Sequence, residues 1–169
     1  IEANPKLCNL IEEKFKNEIK QKRLFLENCV VQNENILNDV SFYIHKTNHV
    51  LSQFHKPLDI QNFEEIKLQS KNIIEIIKKY GDPFYIKIDV EGSDYLILNE
   101  ILKNKIAPPY ISCESHTSDI FAALVASKKY KSFKLVDGAS VSQKYSDAEI
   151  TTYNGKQKYS FPHHSAGPF

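Results

Sequence analysis

After Pro5, the apolar residues Leu7, Leu10, Ile11, Phe15 and Ile19 recur at helical spacing, with Glu12, Glu13, Lys14, Lys16 and Glu18 on the other side. Asn4 stands as N-cap and Pro5 as first helical residue, so the pattern predicts an amphipathic helix over about residues 5–20. The period then shortens. Arg23 to Val31 carries Leu24, Phe25, Leu26, Cys29, Val30 and Val31 and predicts a strand, and Val40 to Ile44 predicts a shorter one. Gln32-Asn33-Glu34-Asn35 between them is turn-like, and Lys46 to Asn62, polar and interrupted by Pro57, reads as a loop or lid.

Ile66 to Leu68 predicts a short strand before a helix over roughly 70–80, with Ile73, Ile74, Ile76 and Ile77 as its apolar face and Gly81 at its end. Tyr85 to Gly92 follows as a strand, and Tyr95, Leu96, Leu98, Ile101 and Leu102 define a helix that stops at Ala107-Pro108-Pro109. Tyr110 to Glu114 predicts another strand, Asp119 to Tyr130 a helix, and Phe133 to Val136 an extended segment before the Asp137-Gly138 turn. The remainder is loop-rich, with scattered aromatic residues at Tyr145, Tyr153, Tyr159 and Phe161. Strands alternating with amphipathic helices predict an α/β fold with a largely parallel sheet and flanking helices.

One strand breaks the expected chemistry. A buried parallel strand is a near-continuous apolar run, yet Lys87, Asp89 and Glu91 fall within five residues of Tyr85-Ile86-Lys87-Ile88-Asp89-Val90-Glu91-Gly92. Alternation puts these three on one side and Ile86, Ile88 and Val90 on the other. A charge in a buried strand needs a partner, a metal or a ligand; an edge strand with a solvated face is the structural alternative. Gly92 directly after the acids permits a tight strand-to-helix turn and close approach of a ligand to the backbone.

Composition narrows the classes. The 169 residues suit one domain that buries roughly 70% of its unfolded surface. Both ends read as cut: the chain opens on Ile1-Glu2 at what reads as a strand end and closes in loop chemistry at Gly167-Pro168-Phe169. A formal charge of +1 gives no broad footprint for nucleic acid or an anionic membrane. No apolar run approaches the roughly 18 residues that span a bilayer, and no signal peptide opens the chain. Cys8, Cys29 and Cys113 are odd in number and lack metal-ligand spacing, which points to a reducing, cytoplasmic setting. The oligomeric state is not readable.

In an open α/β sheet, ligands bind outside the carboxyl ends of the strands. Glu2, Asn28, Asp89, Glu91, Glu114 and His116 all lie at or just past a predicted strand end. Glu2-Ala3-Asn4-Pro5, Tyr80-Gly81-Asp82-Pro83, Lys87-Ile88-Asp89-Val90-Glu91-Gly92 and the spacing between them resemble the FkbM family of S-adenosylmethionine-dependent methyltransferases, over roughly the first two thirds of the chain. The resemblance implies a Rossmann-like fold whose first strand and glycine-rich loop would precede Ile1.

The resemblance further implies that Glu2 accepts hydrogen bonds from the cofactor's ribose hydroxyls, with Ala3 and Asn4 beside it in the cofactor site. A carboxylate at a strand end suits a diol; read alone, Glu2 is an acid near a helix N-terminus. Asn28 and Cys29 fall where such folds meet adenine, although Asn28 is equally a turn residue. Asp89 falls beside the methionine end of the cofactor.

Methyl transfer from a sulfonium to an alcohol is an in-line displacement, so the enzyme positions the acceptor and removes its proton. Asp89, Glu91, Glu114 and His116 are the groups available for that work, His116 having an imidazole that titrates near neutrality. Asp89, Glu91 and Glu114 could instead hold Mg²⁺ or a similar hard cation; metal-free base catalysis is the preferred reading. His45, His49, His55, His163 and His164 read as loop residues, and Tyr43, Ser52, Gln53 and Phe54 line an acceptor pocket if their loop folds over the crevice.

The expected activity is therefore S-adenosylmethionine-dependent O-methylation of a sugar, glycan or secondary metabolite, an acceptor class that rests on the resemblance alone. Two rivals stand beside it: a non-catalytic Rossmann-like binding module, and a divalent-metal-dependent hydrolase built on the acid cluster.

Overall fold

The computed structural model describes residues 1–34, 39–115, 117–152 and 155–161. They form two compact units, Ile1–Lys129 and Tyr130–Phe169.

In the first unit, α1 (Pro5–Lys14) begins as its sequence requires: the Asn4 side chain accepts from the Lys6 N–H at 3.0 Å, and Pro5 occupies the first turn. The helix predicted to reach residue 20 is interrupted at Phe15, whose φ of −111° is not helical, and resumes as α2 (Lys16–Lys20). Its apolar stripe is only partly used, since Cys8 is buried while Leu10 and Phe15 are exposed.

The strand expected over Arg23 to Val31 is shorter and lies further along the chain. Only β1 (Val30–Gln32) forms a ladder; Asn28 makes an isolated parallel bridge with Glu2. The preceding residues are held by side chains instead. Phe25 stacks on Tyr80 with ring centroids 5.1 Å apart. The buried Glu27 carboxylate accepts from Lys71 Nζ, Lys79 Nζ and the Tyr80 hydroxyl, each at 2.5 Å.

β2 (Asp39–His45) pairs antiparallel with β3 (Phe63–Asn72), setting Phe42 opposite Ile66 and Val40 opposite Leu68, and β1 pairs parallel with the far end of β3. β3 is much longer than the three residues Ile66 to Leu68 predicted, because its outward side is polar: Ser41 donates to Glu65 at 2.6 Å, and Lys67 donates to Ser41 at 2.7 Å. The Lys46 to Asn62 segment is a loop with two short 3₁₀ turns, fastened where Tyr43 and Gln53 exchange backbone hydrogen bonds of 2.9 Å.

Asn72 then caps α3 (Ile73–Tyr80), its side chain accepting from the Ile74 N–H at 2.7 Å, and Gly81 ends that helix at φ +91°. β4 (Tyr85–Ile88) and β5 (Tyr110–Cys113) pair in parallel, with α4 (Asp94–Lys103) between them in the chain and α5 (Ser118–Ala126) after them. The principal core joins α3, β4, α4 and α5 through Ile74, Ile77, Ile88, Leu98, Ile101 and Ile120. A smaller core of Val30, Phe42 and Ile44 lies on the β1-β3-β2 sheet.

The second unit holds α6 (Val141–Lys144) and an antiparallel hairpin of β6 (Glu149–Thr152) and β7 (Gly155–Lys158), where the polar sequence predicted loops. Phe133 to Val136 forms no strand. The architecture is thus mixed α/β, and its sheets are small, with three, two and two strands; one continuous, largely parallel sheet is not shown among the described residues.

Candidate functional site

β4 and β5 deliver their carboxyl ends side by side, joined past the ladder by the Glu114 N–H donating to the Ile88 carbonyl at 3.2 Å. Alternation along β4 holds as predicted: Ile88 is buried, Ile86 and Val90 pack on the core, and Lys87 and Asp89 point to the exposed side. The expectation of buried charges is therefore corrected. The polar side of this strand is solvated, and Lys87 lies 2.5 Å from Asp89, their side chains 63% and 41% exposed. Hydrogen bonding to Asp89 raises the Lys87 pKa, against the lowering effect of its partial burial.

The chain leaves β4 through a tight turn. Glu91 adopts φ +43° and Gly92 φ +85°, a region glycine enters freely and other residues rarely. This turn brings Asp89, Glu91 and Glu114 together, with one carboxylate oxygen from each lying within 4.8 Å of the others. Three acids at such spacing repel unless a cation or a proton neutralises part of the charge, and the Lys87 ammonium is one such cation. They are also a hard-oxygen donor set that suits Mg²⁺ or Ca²⁺ chemically. His116, the remaining candidate base, lies outside the described residues.

Asp94, at the start of α4, was not anticipated as part of this turn. Its side chain accepts from the Val90 N–H at 3.2 Å, closing the turn, while its other oxygen, Oδ2, is buried with no hydrogen-bond partner among the described residues. An acid in the first helical turn after a glycine is the signal that could have found it. Burial, reinforced by the charges of Asp94, Asp89 and Glu114, pushes the Cys113 thiol up to about 12. Cys113 is therefore a protonated thiol near neutrality, without the thiolate that nucleophilic or metal-binding chemistry needs.

Glu2 lies at the other candidate position. Its Oε1 accepts from the Asn4 N–H at 2.7 Å, which orients the half-buried carboxylate over the start of α1. This is compatible with a diol ligand, since a carboxylate offers several lone pairs and one N–H engages only one of them. Ala3 contributes its carbonyl, and Asn4 is enclosed, its Oδ1 capping α1 while its Nδ2 has no hydrogen-bond partner among the described residues.

Asn28, expected with Cys29 at adenine, forms a parallel bridge with Glu2. The Asn28 side-chain amide donates to the Glu2 and Ala3 carbonyls at 2.9 and 3.0 Å, so it fixes the Glu2 segment from the neighbouring strand. Cys29 is only 1% exposed, which leaves its side chain no surface to offer a ligand.

A second polar constellation was anticipated only in part: Phe54 was expected to line an acceptor pocket, while His55 was read as a loop residue and Ser93 was not named. His55 Nε2 lies 3.2 Å from the Ser93 hydroxyl, and His55, Phe54, Ser93 and Gln32 line one cleft. The 38 residues separating His55 from Ser93 hide this contact from any local pattern. Among the described residues no helix is long and apolar enough to cross a membrane.

No curated protein and no solved structure matches the chain. The methyltransferase FkbM domain matches residues 1–152, a span that contains Glu2, the acid turn and Glu114. The chain belongs to the FkbM methyltransferase family.

Proposed function

We propose that the protein is an S-adenosylmethionine-dependent O-methyltransferase acting on a hydroxyl of a small molecule or glycan, built on the Rossmann-like arrangement that its family implies. The observation that most supports this reading is the convergence of Asp89, Glu91 and Glu114 at the carboxyl ends of two parallel strands, inside the matched domain.

S-adenosylmethionine supplies an electrophilic methyl group on a sulfonium. In this reading Glu2 accepts from the ribose hydroxyls, its orientation fixed by the Asn4 N–H and its backbone by Asn28. The acids of the turn bind and orient the acceptor hydroxyl, and one of them takes its proton as the oxygen is alkylated. Lys87 holds Asp89 in place and offsets the charge of the acid group. His116 is the alternative base.

The test is transfer of label from [methyl-³H]S-adenosylmethionine to a panel of hydroxyl acceptors. Wild-type protein is expected to transfer label, and Asp89→Asn to lower the rate by about 10²-fold, the usual worth of a positioned acid or base. Transfer at the wild-type rate by this variant would remove Asp89 from the mechanism.

The 4.8 Å clustering favours a second reading, in which the three acids hold a hard cation that lowers the acceptor pKa. Activity that disappears with EDTA and returns with Mg²⁺ selects it; activity indifferent to EDTA rejects it.

A further inference from the structure

Beside the acid turn, between the end of β1 and the start of α4, lies a cleft of about 190 Å³ whose His55 would stand 3.6 Å from a Cβ at Gly92. Val31, Phe54, Leu96 and Ile97 supply apolar walls, and Asn33, Glu34, His55 and Ser93 contribute polar groups. His55 and Ser93 already satisfy each other at 3.2 Å. Gln32, which also lines the cleft, is 7% exposed, and its Oε1 is a buried acceptor without a hydrogen-bond partner among the described residues.

An unpaired buried amide oxygen is destabilising, and a ligand that brings an N–H or O–H donor relieves it. Size and lining narrow the ligand further. An apolar cavity of roughly 150 Å³ accepts benzene, so this space suits a single ring with a small substituent. A sugar fits the apolar side of the cleft poorly, because each hydroxyl set against Phe54, Leu96 or Ile97 would lose its water without gaining a partner.

We propose that this cleft binds the methyl acceptor, and that the acceptor is a small aromatic or heteroaromatic molecule whose N–H or O–H donates to Gln32 Oε1. Its role as acceptor rests on the methyltransferase reading above; the ring-binding chemistry does not.

The test is titration of the full-length protein with phenol and aniline, followed by ¹H–¹⁵N NMR without S-adenosylmethionine, with toluene, glucose and adenosine as comparison ligands. Phenol and aniline should bind and shift the Gln32, Phe54 and Ser93 amides. Gln32→Leu should weaken both by about tenfold, one hydrogen bond's worth, while leaving toluene unaffected. Leu96→Trp fills the cleft from a position 43% exposed, where a larger side chain is tolerated, and should abolish binding of all three rings.

Phenol affinity unchanged by Gln32→Leu, absence of phenol and aniline binding, or glucose binding with the same Gln32 dependence would each overturn the proposal. Adenosine binding there in place of the single rings would also overturn it and give the cleft to the cofactor. Failure of the methyltransferase reading shows separately, as absence of S-adenosylmethionine binding to the wild-type protein.

Discussion

Glu91 and Gly92 occupy consecutive positive-φ conformations, 43° and 85°, at the point where β4 gives way to α4. A non-glycine residue in that region carries strain that the surroundings must offset, and such strain clusters at functional sites. Here it turns the Glu91 carboxylate toward Asp89 and Glu114. Gly92→Ala sets a Cβ at ordinary contact distance, 3.6 Å, from His55 Cδ2, so its cost is conformational. Urea unfolding should show a loss of about 1–2 kcal/mol; undiminished stability would mean that the turn does not need glycine. At this scale the sequence was informative about β4, where alternation placed Lys87 and Asp89 on one side correctly, whereas Glu91 joins them through the turn that follows the strand's end at Ile88. It misjudged their environment, because exposure depends on what packs over a face, and local spacing carries no record of that. It left Asn28 as a ligand group or a turn residue and gave no sign of its bonds to the backbone of Glu2 and Ala3, made across 26 and 25 residues.

Within the first unit, elements are held together by two apolar cores and the Glu27 ion network. Leu98 is fully buried where α4 meets α3 and α5, and Leu98→Ala should cost about 2–5 kcal/mol in denaturant unfolding. Glu27 behaves differently, since hydrogen bonds from Lys71, Lys79 and Tyr80 hold its carboxyl at about 2, below the ordinary 4.5, despite the opposing effect of burial. Because the folded value is the lower one, the unfolded chain binds more protons between these limits. The stabilisation is therefore complete above about pH 4.5 and is lost as pH falls toward 2. Glu27→Gln should lower stability at pH 7 by about 2 kcal/mol and flatten the fall between pH 5 and 2; a wild-type pH profile in the variant would contradict the network. The start of α1 and the end of α3 were readable because Asn4 and Gly81 each act locally. The 23–29 segment was not, since its order comes from partners on β3 and α3.

For the molecule as a whole, family membership and the mixed α/β architecture agree with the alternation of helical and extended patterns along the chain. What pattern could not supply was long-range pairing: the ten-residue β3, the β6-β7 hairpin in a polar stretch, and the cleft that unites Gln32, Phe54, His55 and Ser93. The central claim is that Glu2, set by Asn4 and Asn28, anchors the ribose of S-adenosylmethionine. Isothermal titration calorimetry of S-adenosylmethionine with the full-length protein and its Glu2→Gln variant tests it most directly. The account predicts saturable one-to-one binding to the wild type and at least tenfold weaker binding to the variant, the loss of one charge-assisted hydrogen bond. Equal affinity for both proteins, or no binding to the wild type, would contradict it.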